Sequence, residues 1–136
     1  MHQENTICKA MKRLLEEQDI IAMKDIEFQF ICNLKKYDTI PFMMISSEYK
    51  EPFSVHYKCI TTSHFRLEKI DAETSCATLS LLVPVDIEGN FINSSDEFYA
   101  LRKTKTCVII NLNCFCAINP LPPELVNRPQ PIVFPK

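Results

Sequence analysis

Ser75-Cys76-Ala77-Thr78-Leu79-Ser80-Leu81-Leu82-Val83-Pro84 is the stretch whose reading decides the fold. Ala77, Leu79, Leu81 and Val83 share one parity, with Cys76, Thr78 and Ser80 on the other, and a period of two over this length marks a half-buried strand. The same period spreads outward in both directions. Phe53, Val55, Tyr57 and Cys59 alternate with Ser54, His56 and Lys58, and Phe65 and Leu67 alternate with Arg66 and Glu68. Downstream, Val108, Ile110, Leu112, Cys114, Cys116 and Ile118 share one parity, which predicts a single strand with all six on one face. Shorter candidate strands run from Glu27 to Cys32 and from Pro41 to Ser46.

The period changes to 3.6 only near the start. Between Asn5 and Lys24, Ile7, Met11, Leu14, Leu15 and Ala22 recur at helical steps, while Lys12, Arg13, Glu16 and Glu17 cover the other side, the pattern of an amphipathic helix. Asn5 or Thr6 can cap its first turn by accepting from free amides, and Cys8 borders the apolar stripe.

The chain holds a single glycine, Gly89, so its turns fall to Asn, Asp, Ser and Pro. Glu88-Gly89-Asn90 is the best hairpin tip, because Gly89 or Asn90 adopts positive φ at little cost. Residues 94–101 fit either a short helix capped by Ser94 and Glu97 or an edge strand. Six of the nine prolines (Pro120, Pro122, Pro123, Pro129, Pro131 and Pro135) close the chain, which rules out a helix or central strand there. The expected architecture is mainly β, a small antiparallel β-sandwich with an N-terminal amphipathic helix and an extended proline-rich C-terminal arm. Its divisions are 1–25 for the helix, 26–119 for the β-rich core and 120–136 for the arm.

Length and charge narrow the function. At 136 residues one core is expected. Phosphate-cradling loops of the P-loop or dinucleotide type need several glycines and are excluded. A formal net charge of -2 with mixed signs lacks the basic footprint of a nucleic-acid binder. Met1-His2-Gln3-Glu4-Asn5 leads into a charged amphipathic segment, which predicts no secretory signal, and no apolar run is long enough to insert in a membrane.

Seven cysteines are the remaining anomaly: Cys8, Cys32, Cys59, Cys76, Cys107, Cys114 and Cys116. An odd number leaves at least one thiol free or bonded outside the chain. A structural zinc site would use Cys114 and Cys116 with a distant cysteine or with His56 or His64; the second close pair of the usual tetrahedral site is missing, and a cytosolic β-rich module holding such a zinc is the alternative reading. A cysteine nucleophile would need a histidine beside it, and no local motif selects one. Glu16, Glu17, Asp71 and Glu73 read as solvated carboxylates. Thiols spread over several elements, together with sheet edges that can pair, fit a non-enzymatic self-assembling protein without a cofactor.

Against that background the chain resembles the spore coat protein Y/Z family, the cysteine-rich proteins of the outer coat, crust or exosporium of endospores. The resemblance rests on Asp38-Thr39-Ile40-Pro41-Phe42, Phe65-Arg66-Leu67-Glu68, Ser75 to Leu82, the strand entered at Cys107, Cys114-Phe115-Cys116-Ala117-Ile118-Asn119 and Asn127-Arg128. It implies a structural role in arrays of this chain and other coat proteins, made in the mother-cell cytoplasm and locked by intermolecular disulfides. Cys76, Cys107, Cys114 and Cys116 match family cysteines; Cys8, Cys32 and Cys59 are the weaker candidates. The family's close pair after the first helix is reduced here to Cys32, and Pro120 stands where relatives carry a further cysteine.

Overall fold

A computed structural model describes residues 6–23, 37–93 and 97–131. The candidate strand from Glu27 to Cys32 lies outside these residues, as do Ser94 and Pro135. The fold is mainly β: helix α1 (Thr6–Met23) followed by strands β1 (Phe42–Ser46), β2 (Val55–Tyr57), β3 (Ile60–Thr62), β4 (His64–Asp71), β5 (Cys76–Val85), β6 (Ala100–Asn111) and β7 (Phe115–Pro120). Five strands form an antiparallel sheet in the order β6-β5-β4-β1-β7, and β2 and β3 form a separate hairpin.

The five strands do not lie flat. β1 meets β4 at one register pair, Phe42 with Phe65, whereas it runs beside β7 from Phe42 opposite Pro120 to Ser46 opposite Phe115. β6 and β7 sit at opposite ends of the strand order, which in a flat sheet would separate them by about 19 Å. Only the 3-10 turn Leu112–Cys114 joins them, and four Cα steps reach at most about 15 Å. The sheet therefore curls, bringing the β1–β7 pair over the inner face of β4, β5 and β6. The architecture is mainly β, as the alternation predicts, with one curled five-stranded sheet beside the small β2–β3 hairpin, and helix α1 packs against β4 and β7 of the larger sheet.

The enclosed core follows the parity of the opening stretch. Ala77, Leu79 and Leu81 are buried with Phe42, Met44, Phe65, Leu67, Ile110, Leu112 and Phe115, and α1 adds Ile7, Cys8, Met11 and Leu14. Phe65 stands opposite Leu81 and Leu67 opposite Leu79, so cross-strand pairs supply the packing unit. Phe53 stacks on Phe65 at 5.5 Å and meets Phe115 edge-on at 5.3 Å. From Leu79 onward both faces of β5 are buried, as befits an interior strand.

One buried residue of α1 is polar. Gln18 donates from Nε2 to the Leu67 carbonyl and accepts the Ile40 amide at Oε1, both at 3.0 Å. The β4–β5 register slips between Leu67 and Lys69, and Gln18 binds the carbonyl at that irregularity. Its amide thus ties the helix to two segments through groups that would be costly to bury unpaired.

The turns are built largely without glycine. Lys50, Lys58, Ser75 and Asn127 take φ near +55°, beside Gly89 at +90°. Around Gly89 the Asp86 side chain accepts the amides of Glu88 and Asn90, forming the expected tip. The segment left open between helix and strand becomes strand from Ala100.

Candidate functional site

The thiols differ sharply in exposure. Cys8 is wholly buried in α1. Cys59 is exposed in the turn between β2 and β3, not on the Phe53 face, because the chain reverses at Lys58. Cys76 is half-buried, and Cys107, Cys114 and Cys116 are exposed. Cys32 lies outside the described residues.

The shared face expected for Ile110, Leu112, Cys114 and Cys116 is corrected. The strand breaks at Leu112–Cys114, where Asn111 accepts the Asn113 amide through its side chain. Parity inverts across this turn, so Phe115 is buried and Cys114 and Cys116 are exposed. A second irregularity follows: the β1–β7 register steps from Ala117 to Phe115 and skips Cys116. The Cys116 thiol points back to the Ile45 carbonyl at 3.7 Å.

The structure gathers some of these thiols and separates others. Cys76 stands opposite Asn111, and the Ser75 carbonyl receives the Leu112 amide at 2.8 Å, so Cys76, Cys114 and Cys116 belong to one end of the molecule. Cys107 pairs with Ser80, four residues along β5 from Cys76. That offset amounts to about 14 Å, beyond the roughly 7 Å Cα separation a disulfide tolerates.

No group of three or more His, Cys, Asp or Glu side chains comes together in metal-holding range among the described residues. His56 is exposed, with Nδ1 3.4 Å from the Thr61 hydroxyl. His64 is buried, its ring edge-on to Phe98 at 4.8 Å, and burial pushes its pKa down to about 4. It is a neutral core histidine.

Sequence reasoning missed the polar cluster on the outer side of β4. Arg66 donates from Nε to the Thr39 hydroxyl at 2.8 Å, from one terminal nitrogen to the Asp38 carbonyl and from the other to Glu68 at 2.7 Å. Glu68 also accepts from Ser80, and Lys103 reaches the Asp38 carboxylate at 2.5 Å. Partial burial pushes both carboxyls up, but the hydrogen bonds and charges of Lys103 on Asp38, and of Ser80 and Arg66 on Glu68, outweigh it and hold both below their ordinary values. Beside this cluster opens a cleft of 430 Å³ lined in part by Asp38, Thr39, Lys103, Glu124, Asn127 and Arg128. Residues 38–39, 66–68 and 127–128, far apart in sequence, are thus neighbours in space.

The arm packs on its own domain as far as it is described. Asn127 donates its amide to the Leu101 carbonyl at 2.7 Å and its side chain accepts the Lys103 amide at 3.5 Å. Arg128 lies 4.0 Å over the Tyr99 ring, whose hydroxyl donates to the Pro129 carbonyl.

Comparison with known proteins adds identity to this geometry. The model of the family described as spore coat protein Z matches residues 1–123. Spore coat protein Z of Bacillus subtilis (strain 168) is 36% identical over 103 residues, an alignment covering 67% of this chain and 68% of that protein. No solved structure matches. With the family model matching residues 1–123 and this identity to a named member, the chain belongs to the spore coat protein Z family.

Proposed function

We propose that this protein is a non-enzymatic building block of the spore's outer coat, joining copies of itself and other coat proteins into an array that disulfides lock. The observation that carries this reading is the sorting of thiols by burial. Of the six described, Cys8 alone lies in the core, and the other five face outward on separate elements. A thiol inside a core is a small hydrophobe; one on an exposed edge or turn is available for exchange. The separation of Cys107 from Cys76 puts a bond between those two out of reach within one subunit and leaves Cys107 to a partner on another chain.

The locking step is oxidation by dioxygen once the assembled layer meets the outside. Two thiols lose two protons and two electrons, the sulfurs bond, and dioxygen leaves as hydrogen peroxide. Packing precedes it, because a disulfide forms only between sulfurs already held in reach.

The test is to follow the size of purified protein by light scattering and electron microscopy with and without reductant, beside a Cys114→Ser, Cys116→Ser double variant. Large assemblies that reductant loosens are expected, with less covalent product from the variant. A persistent monomer at high concentration in oxidising buffer refutes the proposal. Assemblies indifferent to reductant would leave packing in place and remove the disulfide lock.

A further inference from the structure

β6 is an edge strand of twelve residues, and its two halves are treated differently. Along the first half the chain covers its own edge: Val126 bridges Leu101 in parallel, and Asn127 takes the Leu101 carbonyl and the Lys103 amide. No described residue pairs with that side of the strand beyond Lys103.

The open half runs from Lys105 to Asn111; its ladder with β5 is regular from Cys107 to Asn111, beyond a register shift that leaves Thr104, Lys105 and Thr106 unmatched, and the parity of that regular part shows what it offers. Leu112 gives its amide inward to Ser75, and Ile110 stands opposite Ala77. In an antiparallel ladder the residues between turn their amides and carbonyls away from the neighbour, so Cys107, Ile109 and Asn111 direct theirs to the edge. Ile109 is 74% exposed, the largest exposure among the bulky apolar side chains described. An edge with free backbone groups and an uncovered isoleucine is a template for a further strand.

We infer that the open half of β6 pairs antiparallel with the same half of a second copy, across a twofold axis at Cys107. This rests on the self-assembly proposed above and names one of its contacts. The register follows from the side chains. With Cys107 opposite Cys107, Lys105 of each chain comes opposite Ile109 of the other, so the lysine stem covers the isoleucine and the ammonium groups are kept apart. A register centred on Lys105 would set like charges face to face. Centring on Cys107 also stops the ladder before Lys103, where Asn127 already holds the edge. Cα atoms of directly opposed residues in such a pair lie about 5.5 Å apart, within disulfide range. Five residues from each chain make a small contact, and the bond between the two sulfurs makes it durable. The arm thereby fixes how much edge is available for pairing.

The test uses the full chain with Cys32, Cys59, Cys76, Cys114 and Cys116 changed to serine, leaving Cys107 and the buried Cys8. In oxidised glutathione, one Cys107 thiolate displaces glutathione to form a mixed disulfide, and the second Cys107 displaces the other glutathione. A covalent dimer whose linked peptides both contain Cys107 is expected. Ile109→Lys, at an exposed position, should lower the dimer yield at least tenfold with the circular dichroism unchanged. Mixed glutathione disulfide without dimer, or a yield indifferent to Ile109→Lys, overturns the inference. The seven-cysteine protein is assayed in parallel. If it forms large assemblies while the Cys107 protein stays monomeric, this contact falls and self-assembly stands. If the Cys107 dimer forms while the seven-cysteine protein builds nothing larger, the contact stands and the array falls.

Discussion

The two sides of the β4–β5–β6 sheet differ in what they are made of and in what holds them. The inner side packs Phe65, Leu67, Ala77, Leu79 and Leu81 against α1 and the β1–β7 pair. The outer side carries Arg66, Glu68 and Ser80 in a hydrogen-bonded cluster, with Cys107 exposed nearby along β6. Burial of apolar area stabilises the first; exposed pairs such as Arg66–Glu68 contribute at most about 1 kcal/mol each. The inner side therefore maintains the fold and leaves the outer side and edges free to carry chemistry that folding does not need.

The strongest test of that division is Leu79→Ala. Leu79 is fully buried at the centre of the inner side, so its truncation should cost about 3–4 kcal/mol, read as a lowered midpoint in urea unfolding under reductant. A cost near zero would mean that the inner side is not the principal source of stability.

His64 supplies an intermediate effect. Its folded pKa of about 4 lies below the ordinary value of 6.5, so between these limits the unfolded chain binds a proton that the folded chain does not. The contribution of His64 is complete well above pH 6.5 and is lost as pH falls towards 4, the loss reaching about 2–3 kcal/mol by pH 4.5. Asp38 and Glu68, held below their ordinary values, lose their contributions only at lower pH. Urea titrations at pH 7 and pH 4.5 should show the decline, and His64→Phe should flatten it. An unchanged slope in that variant would assign the acid sensitivity elsewhere.

The smallest effect belongs to the thiols. Cys107→Ser and Cys114→Ser at exposed positions should each change stability by less than about 0.5 kcal/mol under reductant, measured by the same unfolding. A loss comparable to that of Leu79→Ala would give these cysteines a place in the fold and weaken their assignment to assembly.

Alternation made β4, β5 and the 53–57 segment legible from sequence, because a strand with one apolar face writes its burial into every second residue. The helix was legible for the same reason, except at Gln18. A polar residue in an apolar stripe reads as an interruption, and its partners, the Leu67 carbonyl and the Ile40 amide, belong to segments that no local pattern connects to it. The reversal at Leu112–Cys114 was hidden by parity that continues by coincidence through Cys116. Its local cause, the Asn111 side chain taking the Asn113 amide, is a two-residue signal that the apolar pattern outweighed. Lys50 and Lys58 at positive φ gave no compositional sign of their turns. The cluster of Asp38, Thr39, Arg66, Glu68 and Lys103 depends on contacts across as many as 65 positions, visible only once the strands are paired.

The pairing of β1 with β7 bears on how the chain is made. Phe42 must find Pro120, and Met44 must find Ile118, across more than half the length of the polypeptide. Contacts this distant in sequence form late, because the intervening loop has to close before they repay its entropy. On a ribosome, α1 and the first strands emerge with Phe42 and Met44 lacking their final partner until the C-terminal part of the chain is out. A growing chain thus cannot complete this pairing until Pro120 has emerged, and the edge of β6 that its own arm will cover stays bare until Val126 and Asn127 follow.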